Sequence, residues 1–137
     1  MHLRGLSLTA ASLACLALAA TGCVLHTDDD VIGPSTGLLS VAWTVESSTS
    51  PAACDDVAAD TLAIDVYDLG GRRITTVNAP CEDFVANIEL DPGSYSLDLT
   101  LVDTLDHAVT TTLPLDVDIR PDAETDVDID FPSSSFL

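Results

Sequence analysis

The residues of this chain best equipped for chemistry are aspartates. Asp126, Asp128 and Asp130 recur at every second position of Glu124-Thr-Asp-Val-Asp-Ile-Asp-Phe131, and Asp116 and Asp118 do the same in Leu115-Asp-Val-Asp-Ile119. At the period of a strand, each set shares one outward face. If the two strands are neighbours, five carboxylates crowd one surface. Like charges held opposite one another repel, so a cation would be welcome there. The cation such oxygens suit is Ca2+, which gathers about six to eight of them. Phe131 stands where a helix-loop-helix calcium loop needs glycine, so that geometry is not the one expected. The blander reading is a solvated acidic face that keeps an exposed sheet edge from pairing.

Catalytic chemistry finds little footing. The sequence has no G-x-S-x-G nucleophile elbow. His26 stands beside Asp28, Asp29 and Asp30 in a polar stretch, and His107 follows Asp106 in a turn-like Asp103-Thr-Leu-Asp-His107. A nucleophilic triad needs a base held against its nucleophile by a third group, and neither histidine has such a setting. Carboxylates on a solvated face keep no raised pKa for acid work. The expectation is a protein that is not an enzyme and has no cofactor, Ca2+ aside. The chain has 137 residues, 4 Lys+Arg and 23 Asp+Glu, for a net charge of -19. That balance argues against nucleic acid, whose phosphates need basic side chains. A hydrophobic content of 47% is too high for a disordered chain.

The N-terminus is an address. One arginine, Arg4, precedes an apolar run from Leu6 to Ala20, too short to span a bilayer comfortably. The run ends in Ala20-Thr21-Gly22-Cys23, which resembles the bacterial lipobox. That resemblance implies cleavage before Cys23, recognition of Ala20, Thr21 and Gly22 by the lipoprotein signal peptidase, and acylation of the Cys23 thiol. Residues 1–22 would then be a lipoprotein signal peptide, and the partner of Cys23 the membrane. Val24 stands where enteric lipoproteins retained in the inner membrane carry aspartate, so the resemblance leans toward the outer membrane. Residues 23–37 read as an acidic tether ending in the breaker cluster Gly33-Pro34-Ser-Thr-Gly37.

Processing settles the cysteine arithmetic. Cys15 would leave with the signal and Cys23 would carry lipid. Cys54 and Cys81 remain, an even pair in an oxidising compartment, and a disulfide between them is the default.

The rest of the chain alternates. Leu39, Val41, Trp43 and Val45 share one face of residues 38–46, with Trp43, the single tryptophan, as a core anchor. Residues 61–69 and 72–78 form a hairpin across Gly70-Gly71. Its register sets Asp68 opposite Arg73, Val66 opposite Thr75 and Ile64 opposite Val77. The disulfide would clip the loop before this hairpin to its open end. Residues 84–90 and 95–101 read as a second hairpin across Pro92-Gly93, pairing Leu90 with Tyr95, Ile88 with Leu97, Ala86 with Leu99 and Phe84 with Leu101. Val109, Leu113, Leu115, Val117 and Ile119 keep one parity through Pro114, which points outward as on an edge strand. Val127, Ile129 and Phe131 close the domain. Residues 52–59 have room for one helical turn, and residues 132–137 read as a loose tail from which Phe136 can pack back.

About seven short strands at regular spacing predict an all-β, Ig-like single β-sandwich over residues 38–131. Leu90-Asp-Pro-Gly-Ser-Tyr-Ser-Leu97 resembles the L-x-P-G-x-Y-x-L strand-turn-strand of transthyretin-like sandwiches, also called carboxypeptidase-regulatory-like or prealbumin-like domains. In that family the turn can join strands of different sheets. The resemblance implies non-catalytic attachment or binding roles with no fixed ligand. The functional expectation is a lipid-anchored envelope protein that serves as an interaction or structural module with a protein or polysaccharide partner. The alternative is a calcium-binding envelope or adhesion protein.

Overall fold

The computed structural model describes residues 35–137. Its seven strands are β1 (Gly37–Val45), β2 (Thr61–Asp68), β3 (Arg73–Pro80), β4 (Val85–Leu90), β5 (Gly93–Val102), β6 (Leu113–Ile119) and β7 (Glu124–Phe131). One short helix, α1 (Pro51–Asp56), follows β1. The strands form two sheets, one in the order β4-β1-β7 and one in the order β3-β2-β5-β6. β1 runs parallel to β7, and every other pairing is antiparallel. The sheets face each other as a sandwich. Between them lies a core of Leu39, Val41, Trp43, Val45, Leu62, Ile64, Val66, Leu97, Leu99, Leu101 and Phe131, all buried. These are the inward positions of alternating strands, so the period-two pattern is what builds this core.

The second expected hairpin does not form. β4 pairs with β1, with Leu90 opposite Gly37 and Ala86 opposite Val41. β5 pairs with β2 and β6, with Leu97 opposite Val66 on one side and Leu115 on the other. The Asp91-Pro92 link therefore crosses from one sheet to the other. Ala86, Ile88 and Leu90 are still buried in the same core as the apolar set of β5, but from the opposite sheet. Alternation fixes which side of a strand is dry and leaves its neighbour open. The Tyr95 hydroxyl donates to the Asp91 carbonyl at 2.8 Å and braces the crossing.

The first hairpin holds where it was most apolar. Ile64 faces Val77 and Val66 faces Thr75. A bulge between Val66 and Tyr67 then shifts the register, so Arg73 stands opposite Tyr67. Asp68 organises the turn: its carboxylate accepts from the Gly70 and Arg72 amides, each at 2.9 Å, and from Arg72 Nε at 3.1 Å. The extra residue is what lets one carboxylate reach both amides, and so Asp68 does not meet Arg73.

Three more expectations change. Phe84 is not the first inward residue of a strand. It ends a three-residue 3-10 turn, Cys81–Asp83, in a left-handed conformation (φ 54°). Residues 107–112 make only isolated bridges, and β6 starts at Leu113. The segment 132–137 is held, not loose: Phe136 bridges Thr110, the Thr111 amide donates to the Ser135 carbonyl at 2.7 Å, and Ser135 is buried. Residues 107–112 lack a continuous strand neighbour, and the C-terminal segment supplies part of one. Pro114 faces Asp98 from β6, an edge strand, as its missing N–H requires.

Cys54 and Cys81 form the expected disulfide, with Cα atoms 6.1 Å apart. It joins α1 to the 3-10 turn, and the Cys81 amide donates to the Asp60 carbonyl at 2.8 Å. The long loop after β1 is thereby fastened to the exit of β3.

Candidate functional site

The register assigns the loops to two ends of the sandwich. At one end the chain enters β1 at Gly37, which lies beside Leu90, and the turns after β2, β4 and β6 share that end. At the other lie α1, the disulfide, the 103–112 segment and residues 132–137. β1 runs the full distance between them. From Gly37 to Trp43 it covers roughly 20 Å at the rise of a strand.

The acidic residues do not assemble as the five-carboxylate surface required. β6 and β7 belong to different sheets. Asp116 accepts from Ser96 Oγ at 2.6 Å, and Asp118 accepts from Ser94 Oγ, both across β5. Asp126, Asp128 and Asp130 face outward from the other sheet, opposite Ser40, Ala42 and Thr44 of β1. Among the described residues no group of three or more His, Cys, Asp or Glu side chains is placed to hold a metal ion. Cys23, Ala20, Thr21, Gly22 and His26 lie outside the described residues.

The Asp103–His107 segment is a turn built around one carboxylate. Asp103 Oδ1 accepts from the Leu105 amide at 2.8 Å and the His107 amide at 2.9 Å, and His107 Nδ1 lies 3.4 Å from Oδ2. The His107 amide, then the Leu105 amide, hold the Asp103 carboxyl below the usual carboxylate range. The Arg72 amide does the same for Asp68. Both carboxylates are thus engaged in shaping their loops.

What the sequence did not single out is a hollow of about 440 Å³ over the far ends of β1 and β7. Ala42, Trp43, Phe84 and Ile129 give it an apolar lining, while Thr44, Thr49, Asp128 and Asp130 supply the polar groups. Trp43 is held from two sides. Its Nε1 donates to the Cys81 carbonyl at 3.0 Å, and its amide donates to the Phe84 carbonyl at 3.1 Å. The Phe84 ring lies against it, centroid to centroid 6.4 Å and tilted by 43°. Asp130 is equally fixed: Oδ1 accepts from Thr44 Oγ1 at 2.6 Å and from the Ser47 amide at 2.8 Å. Its Oδ2 has no hydrogen-bond partner among the described residues.

Three non-glycine residues in left-handed conformation sit around this hollow: Phe84 (φ 54°), Glu46 (φ 49°) and Ser47 (φ 63°). Such conformations are uncommon outside glycine and cost on the order of 1–3 kcal/mol each. The left-handed turn at Ser47 brings its amide to Asp130, and that at Phe84 leaves its half-buried ring packed against Trp43. The only sequence signal for this was the Cys81-Glu-Asp-Phe84 stretch, too short for a loop to close without an unusual backbone. A second hollow, of about 470 Å³, is lined by Val57, Ala58, Ala108, Val109, Phe136 and Leu137, with Asp56 at its edge. It has one polar side chain, Asp56, and no hydroxyl side chain.

No family model matches the chain, and no curated protein matches it. Among solved structures it is similar to the TIE protein of Bacillus anthracis, at 12% identity and a TM-score of 0.48 over 72% of this chain and 16% of that one. It is also similar to a provisionally assigned polysaccharide-binding protein (DUF1812) of Bacteroides thetaiotaomicron, at 11% identity and a TM-score of 0.46 over 69% of this chain and 46% of that one. A provisionally assigned adhesin of Bacteroides ovatus gives 10% identity and a TM-score of 0.43, over 69% and 44%. The chain spans less than half the length of each. Identities this low say nothing of what this chain binds.

Proposed function

We propose that this chain is an exported, lipid-anchored protein of the cell envelope, and that its sandwich is a non-catalytic binding module for a polysaccharide chain. The observation that carries the binding role is the hollow at Phe84, whose half-buried ring is backed by the buried Trp43. An aromatic face stacks against the C–H side of a sugar ring. Threonine hydroxyls and a carboxylate already fixed by two donors can then take the ring hydroxyls without reorganising. Asp130 has that form, with one oxygen held and one without a partner. The hollow is open, so it suits a segment of a chain better than a small molecule enclosed on all sides.

Anchoring rests on Ala20-Thr21-Gly22-Cys23 after an apolar run. The Cys54–Cys81 bridge agrees with an oxidising compartment. Lipidation at Cys23 would hold the sandwich to the membrane through the residues that lead into β1 at Gly37. Val24 favours the outer membrane.

Two measurements test this reading. Radiolabelled palmitate should be incorporated by the wild-type chain in cells and not by Cys23→Ser; label retained in the variant would overturn the anchoring. On an array of envelope polysaccharides, the chain should bind at least one glycan, and Phe84→Leu, which keeps an apolar side chain against Trp43 and loses the aromatic face, should weaken it about tenfold. Equal binding by wild type and variant would remove the hollow from the account.

A further inference from the structure

The charge of this domain is unevenly placed. The sequence contains no lysine and four arginines, one of which is Arg4. The other three, Arg72, Arg73 and Arg120, all lie by the turns at the end where Gly37 enters. Arg72 and Arg73 are already engaged with Asp68 and Asp65. At the far end, Glu46, Glu82, Asp83, Asp128 and Asp130 are exposed, and the one basic side chain among the described residues there is His107, against Asp103. Among the described residues no arginine compensates the two carboxylates at the hollow, and the sequence has no lysine.

We infer that the hollow takes a saccharide bearing a free, protonated amine, of the kind found in a de-N-acetylated hexosamine chain. This rests on the polysaccharide reading above and narrows it. The Phe84 ring and the Asp128 and Asp130 carboxylates lie around one opening. An ammonium group set over that ring meets the negative face of its π system, with a carboxylate beside it. Oδ2 of Asp130 accepts from the ammonium, while Thr44 and Thr49 serve the neighbouring hydroxyls. A neutral sugar would make the hydroxyl contacts and forgo the charge. An acidic sugar would meet an end of the domain with nothing to pair it. The field of the whole chain, at a net charge of -19, draws a cationic glycan in and repels an anionic one.

The test is calorimetry with the full chain in detergent. The probes are a glucosamine tetramer, its fully N-acetylated counterpart, a glucose tetramer and a tetralysine peptide, at a pH of about 5, low enough for the weakly basic amino-sugar amines to be protonated. The glucosamine tetramer should bind about tenfold more tightly than its acetylated form, the scale of one exposed ion pair with one exposed cation–π contact. That preference should vanish in Asp128→Asn/Asp130→Asn, whose melting curve shows whether the fold survives. It should also fall steeply as salt is raised toward about 0.5 M, while any hydroxyl contribution persists. If the acetylated or glucose tetramer binds as tightly, the amine inference fails and the polysaccharide reading stands. If only tetralysine binds, both fail in favour of a basic peptide. Binding of none of the four overturns the amine inference and leaves the array to decide the broader reading.

Discussion

Opening the Cys54–Cys81 bridge should cost the domain a large share of its stability. The two cysteines are 27 positions apart, so the closed loop holds 28 residues, counting both ends (27 + 1). In the chain-entropy model, a loop of that size removes about 12 cal/mol/K from the unfolded state, or about 3.5 kcal/mol at 25 °C. A domain of this size is stable by only about 5–15 kcal/mol. The melting temperature should therefore drop by roughly 15–25 °C. The loss is not purely a matter of the unfolded chain. The bridge fixes Cys81, whose carbonyl accepts the Trp43 indole N–H and the Phe84 amide. The cleanest comparison is wild-type protein reduced in denaturant and refolded in reductant, against the oxidised form, because the two differ only by two hydrogens. Far-ultraviolet dichroism and Trp43 emission should be followed together. Coincident transitions would show that the bridge stabilises the sandwich as one unit. A reduced form melting within about 5 °C of the oxidised one would refute the loop-entropy reasoning.

Thr110→Val should destabilise by about 1–3 kcal/mol in urea titration, because the buried Thr110 hydroxyl accepts from the Leu101 amide at 3.0 Å and valine leaves that N–H unpaired at nearly constant volume. Gly37→Ala should cost about 1–3 kcal/mol by the same measurement, since a Cβ there would run into the Arg120 carbonyl and the Ile119 side chain, and the carbonyl belongs to backbone that has to move. The Asp103 carboxyl is held below its ordinary range by the His107 and Leu105 amides. Its contribution is thus present above the unfolded aspartate value of about 3.9 and lost as pH falls through the lower folded value. The protection factors of the Leu105 and His107 amides, exchange corrected for its intrinsic pH dependence, should fall over that acid window in the wild type and be low at every pH in Asp103→Ala. Added salt should raise the melting temperature, because it screens the repulsion among an excess of carboxylates in a chain of net charge -19; an unchanged or falling temperature would mean that repulsion is not a destabilising force here.

The sequence revealed which side of each strand is dry far better than which strands are neighbours. Leu97, Leu99 and Leu101 read as inward and are fully buried, and so are Leu39, Val41 and Val45. Parity is a local property, set by two residues and a pleat. Neighbour choice depends on distant covering surfaces. Phe84 to Leu101 reads as a hairpin because both halves alternate across Pro92-Gly93, yet two strands of opposite sheets present the same pattern when both line one core. The β2–β3 hairpin was legible because Gly70-Gly71 closes it locally. Even there the register slips by one at Tyr67, where Asp68 spends its carboxylate on the turn amides. The hollow was invisible for a related reason. It depends on Phe84 adopting φ 54°, a choice made by the three-residue turn after a disulfide and not by any pattern of apolar residues.

Topology also changes what the acidic rows mean. β6 is an edge of one sheet and β7 an edge of the other, and the two edges lie on the same side of the sandwich. Asp116 and Asp118 with Pro114 occupy the first, and Asp126, Asp128 and Asp130 the second. An unpaired strand is a template for another chain, and carboxylates at alternate positions with a proline are what blunts it. On this geometry the carboxylates of β6 and the first of β7 need no ligand to explain them. Asp128 and Asp130 differ from the rest of their rows in one respect: the strand carries them to the end where Trp43 and Phe84 come together. A charge placed to prevent one kind of contact is there positioned to make another, and charge-removing substitutions separate the two roles. Asp126→Asn should promote association between chains without touching glycan binding, whereas Asp130→Asn should weaken the glycan and leave the monomer intact.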